Sequence, residues 1–192
     1  MGSYLSKRFV SSPTGGREGC RSVNLKPEEL AFWQKYADSI GGKESLRDAV
    51  VSVGYAGNPQ ITDELLGLFR SGKKTAGSSL VEDFLSAGDP LPQAGNYWIC
   101  LDSDGKPKCI LQTHEIVTNK FKDIPAAIAE AEGEGDLSVE YWKRIHADLY
   151  ATFLKAWGVL DLDEATVITE FFTIVYSEDD DFAGEGRFPF SH

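Results

Sequence analysis

Hydrophobic and polar positions change period several times along the chain, and each change marks an element. Leu30, Trp33 and Ala37 recur at helical spacing behind Lys26-Pro27-Glu28-Glu29. There a proline in the first turn and acids at the positive end of the dipole suit a helix start. A short helix near Glu44–Asp48 and a strand over Val50–Tyr55 follow. The run from Asn58-Pro59 to Arg70 predicts a second long helix, since asparagine caps, proline suits the first position, and Ile61, Leu65, Leu68 and Phe69 make one apolar stripe. Gly72 ends that helix, so Lys73, Lys74 and Thr75 emerge at a helix-to-strand turn, with Ser78 and Ser79 in the strand beyond.

Gly95–Leu101 and Lys108–Thr118 are rich in β-branched and aromatic residues and flank Asp104-Gly105, which predicts a hairpin. Phe121–Ala131 is alanine-rich and reads as a helix running into an acidic loop, Glu132-Gly133-Glu134-Gly135-Asp136. Ser138 caps a further helix to about Ala156, with Trp142, His146, Leu149 and Phe153 on one face, and Thr166–Tyr176 reads as a last strand. Strands interleaved with helices, without regular βαβ units, indicate an α+β fold whose sheet closes into a small β-barrel with flanking helices. Residues 1–24 mix Ser, Gly and Arg without periodicity and are expected to be a flexible leader. Residues 25–176 are expected to form one domain, and 177–192 an acidic tail.

Charge narrows the choice of partner. The net charge is −11, too acidic for a protein that coats nucleic acid by electrostatics alone. It is uneven: residues 1–74 carry 11 Lys and Arg against 8 Asp and Glu, whereas residues 75–192 carry 8 against 22. Any nucleic-acid contact is therefore local, with Arg70-Ser71-Gly72-Lys73-Lys74 as the basic corner, and a neutral small ligand suits the charge at least as well. Cys20, Cys100 and Cys109 have neither disulfide-framework nor zinc-ligand spacing. No apolar run is long enough for a membrane span and the first residues lack a secretory pattern, so a cytoplasmic protein is expected. No Rossmann or Walker fingerprint is present, and nucleoside triphosphates are not expected.

Gly72-Lys73-Lys74-Thr75-Ala76, then Leu91-Pro92 before Gly95, then Glu132-Gly133-Glu134-Gly135-Asp136-Leu137-Ser138 with Trp142 and His146, resemble the larger bacterial proteins of the ASCH domain family. The likeness runs from about Leu30 to Tyr176. It implies a PUA-like barrel with a cleft that binds RNA or nucleosides. Small members of that family remove the acetyl group of N4-acetylcytidine with a lysine, a threonine and a glutamate, and others are metal-assisted ribonucleases. Lys74 matches the lysine and Glu132 the glutamate, but Gly77 stands where the threonine belongs. Thr75, Ser78 and Ser79 are the nearby hydroxyls, and strand alternation favours Thr75 and Ser79 as substitutes, since they share the Gly77 face.

The candidate catalytic set is therefore Lys74, Glu132, Thr75 and Ser79. Lys74, desolvated and beside Lys73, would activate a hydroxyl or water, and Glu132 would carry a proton to the leaving amine. Lys73 and Ser78 are candidate substrate contacts, and Tyr97 and Trp98 candidate stacking partners for a base. The alternating acids Glu130, Glu132, Glu134 and Asp136 leave Mg2+ or Mn2+ open as a cofactor, with no definite ligand set. His146 lies on an apolar helix face and reads as a buried, hydrogen-bonded side chain. Two readings stay open: a protein that binds and hydrolyses RNA or a modified nucleoside, or a non-catalytic binding module using the same cleft.

Overall fold

The computed structural model describes residues 25–42, 46 and 49–178, together with the backbone of 8–11. Six strands form one curled sheet: β1 (Arg8–Ser11), β2 (Val50–Tyr55), β3 (Ala76–Leu80), β4 (Tyr97–Leu101), β5 (Pro107–Lys120) and β6 (Thr166–Ser177). Their order is β1-β2-β4-β5-β6-β3, with β2 and β4 parallel and every other pair antiparallel. Among the described residues five α-helices flank the sheet: α1 (Pro27–Ser39), α2 (Thr62–Arg70), α3 (Val81–Ala87), α4 (Ala126–Glu132) and α5 (Val139–Tyr150). The architecture is the expected α+β one.

Three patches of apolar packing hold the helices. From α1, Phe32, Trp33, Tyr36 and Ala37 pack on Val51, Val53, Ile99 and Ile110. From α2, Leu65, Leu66 and Phe69 meet Leu111, Phe172 and the paired thiols Cys100 and Cys109. Both cysteines are buried and neither forms a disulfide, and Cys20 lies outside the described residues. Under α4 and α5, Ile128, Ala129, Trp142 and Tyr150 pack on Leu80, Phe121 and Val167. Each fully buried Leu, Val or Phe contributes about 1.5–3 kcal/mol, so these patches dominate the attachment of the helices.

Several boundaries differ from the sequence reading, each for a local reason. Leu30 is exposed at 40%, because α1 turns its Phe32/Trp33/Tyr36/Ala37 face to the sheet. Asn58 caps a turn, accepting from the N–H groups of Gln60 and Ile61, and α2 begins only at Thr62. Thr62 is buried, and its hydroxyl donates to the Leu101 carbonyl while accepting from the Ala56 N–H, which fixes the start of α2 to the sheet. The segment expected as one helix from Phe121 is a 3-10 turn at Phe121–Asp123 followed, after Pro125, by α4. Helix α5 ends at Tyr150 rather than near Ala156. Helix α3 carries no pattern that sequence reading recognised. Within the expected leader, Arg8–Ser11 pair with Val50–Val53, while residues 1–7 and 12–24 lie outside the described part. The short helix near Glu44–Asp48 falls largely outside it, as does the acidic tail beyond Glu178.

Candidate functional site

Lys74 sits between the end of α2 and the start of β3. Gly72 takes a left-handed φ of 69°, and the N–H groups of Lys73 and Lys74 both donate to the Leu68 carbonyl, closing the helix. Thr75 then fastens the chain to the far helix. Its N–H donates to the Ala131 carbonyl at 2.7 Å and its hydroxyl to the same oxygen at 3.3 Å. That stitch sets Lys74 against Glu132, the last residue of α4. Gly133 allows the approach: its φ is 69°, and a Cβ there would fall 2.1 Å from the Lys73 carbonyl oxygen.

The Lys74 ammonium has three hydrogens and three acceptors. It donates to Glu132 Oε2 at 2.8 Å, to Glu134 Oε1 at 2.7 Å and, more weakly, to the Glu132 carbonyl at 3.4 Å. Lys74 and Glu132 are buried at 7% and 3% exposure, whereas the Glu134 side chain is 27% exposed. The other oxygen of Glu132 accepts from Trp142 Nε1 at 2.7 Å and lies 3.6 Å from His146 Nε2. His146 stacks on Trp142, and its Nδ1 donates to the Trp142 carbonyl at 2.9 Å, so the neutral ring leaves Nε2 as an acceptor.

These contacts fix the charges. Burial alone would raise the Glu132 pKa, but Lys74, with help from the Ser78 hydroxyl, outweighs it and holds the carboxyl at about 2. Burial opposes the Lys74 charge too, yet Glu132 and Glu134 outweigh it and push the pKa above the usual lysine value. Burial lowers His146, so the ring is neutral at neutral pH. The expected deprotonation of Lys74 is therefore corrected. Its carboxylate neighbours keep it an ammonium, and Lys73, exposed, is not among the groups that shift it. Glu132, ionised and with each oxygen accepting a hydrogen bond, has no proton to deliver.

Beside this pair lies a cavity of about 150 Å3, lined by Lys74, Gly77, Ser78, Ser79, Glu132, Glu134, His146 and Glu170 on its polar side and by residues such as Phe69, Trp98, Ile145, Leu149 and Phe172 on its apolar side. The structure brings together Lys74, Glu132, Ser78, Ser79 and Trp98 of the expected residues. It leaves out three. Thr75 is exposed and spent on the Ala131 stitch, because β3 begins only at Ala76. Lys73 points to solvent. Tyr97 packs edge-on to Trp33 at 5.2 Å in the α1 core, where its hydroxyl accepts from Gln112 Nε2.

Ser78 is the buried hydroxyl of the group, 2.8 Å from Thr169 Oγ1, with its carbonyl accepting from the Tyr150 hydroxyl. Sequence reasoning named Glu134 only as a possible metal ligand, not as a partner of Lys74, and missed Glu170 and the aromatic wall of Phe69 and Phe172. Glu170 alone carried a signal, as the one charged residue inside an apolar, β-branched strand. The acidic loop does not fit a divalent ion. Glu132 and Glu134 hold Lys74, Asp136 accepts from Ser138, Glu130 faces solvent, and among the described residues no three His, Cys, Asp or Glu are placed to hold one metal ion. No described helix is long and apolar enough to cross a membrane.

The same fold occurs in solved structures. An ASCH domain from Lactobacillus crispatus superposes with a TM-score of 0.70 at 22% identity, covering 79% of this chain and 96% of that one. A protein from Enterococcus faecalis matches with a TM-score of 0.67 at 23% identity, over 85% of this chain and 97% of its own. No curated protein matches significantly. The profile of the ASCH domain matches residues 52–176, a span that takes in every residue of the cavity, and the chain belongs to the ASCH domain family.

Proposed function

We propose that the protein binds a nucleoside in this cavity, with the base against Phe69, Trp98 and Phe172 and its hydrogen-bonding edge at the Lys74–Glu132 end. The observation that carries the reading is the division of one cavity into an aromatic wall and a buried, charged, fully hydrogen-bonded floor. A cavity of about 150 Å3 has room for one six-membered ring, with a sugar left towards the opening. Phosphate recognition finds little support. The Lys74 ammonium already serves two carboxylates, and the chain carries a charge of −11.

The test is calorimetric titration with cytidine, uridine, N4-acetylcytidine and a single-stranded RNA. Nucleoside binding that varies little with salt and is lost in Lys74→Met supports the reading. Tight RNA binding that weakens steeply with salt, without nucleoside binding, overturns it.

A second reading, hydrolysis of an acyl group on such a ligand, draws on the Ser78 hydroxyl beside Glu132 and on the Lys74 ammonium, which can stabilise a developing oxyanion if Glu134 swings aside. Water adds to the acyl carbon, the C–N bond breaks, and the amine leaves with a proton. Release of acetate from N4-acetylcytidine, abolished by Lys74→Met, supports it. Binding without turnover, with and without Mg2+ or Mn2+, leaves the binding module.

A further inference from the structure

Three acceptors share the hydrogens of the Lys74 ammonium, and they are not equally held. Glu132 offers Oε2 at 2.8 Å and its own carbonyl at 3.4 Å, while its other carboxylate oxygen accepts from Trp142 Nε1 at 2.7 Å. It is 3% exposed at the end of α4, so parting it from Lys74 would strand a buried charge. The third acceptor, Glu134 Oε1 at 2.7 Å, belongs to a side chain that is 27% exposed, against 7% for Lys74. Water is therefore within reach of Glu134 and not of its rival.

The backbone around Glu134 is fixed where its side chain is not. The Glu134 carbonyl accepts from the Leu137 N–H at 3.2 Å, and Asp136 accepts from the Ser138 N–H at 2.9 Å. Gly135 packs so closely on the Tyr141 ring that no room is left for a Cβ. A change of rotamer, without movement of the loop, thus carries this carboxylate from Lys74 into solvent. Lys74 and Glu134 both line the cavity, so the freed position opens onto it.

Charge decides what takes that position. With Glu134 withdrawn, the ammonium keeps Glu132, the pair is neutral, and one N–H is left to satisfy in a partly apolar site. A carbonyl oxygen on a ring resting against Phe69, Trp98 and Phe172 satisfies it. An anion at the same point meets Glu132 fixed in place and Glu134 tethered a side chain's length away, and both repel it.

We infer that Glu134 is a specificity-determining residue of the cavity: it holds Lys74 in reserve, yields it to a neutral ring bearing a carbonyl oxygen, and keeps anions out. The inference rests on the reading of the cavity as a nucleoside site and names the group on the base that the site takes.

Uridine, N-methylpyridone, toluene and benzoate test it by ligand-observed NMR and calorimetry, on the wild-type chain and on Glu134→Ala. N-methylpyridone carries the carbonyl without charge, toluene is a ring without an acceptor, and benzoate is an anion. Wild type should bind uridine and N-methylpyridone and leave benzoate in solution. Glu134→Ala, freed of the competing carboxylate, should bind uridine and N-methylpyridone roughly tenfold more tightly, toluene within about twofold of wild type, and benzoate detectably. An unchanged or weaker affinity for N-methylpyridone in the variant overturns the inference. So does an equal gain for toluene, which reports only added space, or wild-type binding of benzoate as tight as that of N-methylpyridone. If the three ring probes behave as expected but uridine does not bind, the inference stands and the nucleoside reading falls. Absence of binding by every ligand to either protein overturns both.

Discussion

Glu132 and Asp83 are two buried carboxylates in one small fold, at 3% and 5% exposure, and they have been pushed in opposite directions. At Glu132, opposed by burial but outweighed by Lys74, the pKa falls from near 4.5 to about 2. At Asp83, in the first turn of α3, burial prevails over a contact with Trp157 and the pKa rises from near 3.8 to about 6. Asp83 Oδ1 has no hydrogen-bond partner, whereas each Glu132 oxygen has a donor within 2.8 Å. Burial is common to both. A cation and a saturated donor set make the difference, and they are found at the cavity, whose charge is held, whereas Asp83 is not among its lining residues.

The comparison breaks most visibly if Lys74 is removed. Lys74→Met should strand Glu132 as an unpaired buried carboxylate, cost about 3–5 kcal/mol in denaturant unfolding, and move its pKa above 4.5 in a carboxyl-carbon NMR titration. A carboxyl that stays near 2 in that variant would show that Trp142 and backbone groups, rather than Lys74, hold it. Next in size, Gly133→Ala should cost about 2 kcal/mol or more, because alanine resists the left-handed φ and its methyl would strike the Lys73 carbonyl. Thermal melts read this directly.

Acid titration sharpens the contrast. The Glu132 contribution is complete above pH 4.5 and is lost as pH falls towards 2, since the unfolded chain takes up the proton first. Asp83 has the reverse sign. The folded protein protonates it first, so stability from this group increases as pH falls from about 6 towards 3.8. Asp83→Asn should therefore stabilise the protein by about 1–2 kcal/mol at pH 8 and have little effect at pH 4, as measured by urea unfolding at both values. The smallest effect belongs to Lys35→Ala. Its partner Glu178 is 43% exposed, and the unfolding midpoint should not move.

Strand positions and the two motif residues were legible in the sequence because each leaves a local mark. Val50–Tyr55 stands out by its β-branched run, Lys74 by the glycine that ends α2, and Glu132 by the two glycines that follow it. What depends on distant partners was not legible. Thr75 and Ser79 were preferred to Ser78 by counting alternation from Gly77, but the count fails when Thr75 belongs to the turn and the cavity is lined by Gly77, Ser78 and Ser79 alike. The charge of Lys74 was misjudged for the same reason. Lys73, its visible neighbour, points away, while Glu134 is 60 residues distant. Helix α1 showed its length but not its face, since Leu30, Phe32 and Tyr36 are all apolar or aromatic and only the sheet chooses among them.

The single parallel pair in the sheet, β2 beside β4, has a further consequence. A parallel neighbour requires a crossover, and here the chain between Tyr55 and Tyr97 travels to the opposite edge and back, laying β3 against β6 on the way. Ser78 and Thr169, which meet across that edge, are 91 residues apart in the chain. Loop closure over such a span is slow and brings no reward until the last strand has arrived. The β4–β5 hairpin can form early without creating any part of the lysine floor. The cavity is thus complete only once the β3–β6 edge has closed, and no part of it that needs Ser78 beside Thr169 exists in a chain whose last strand has not arrived.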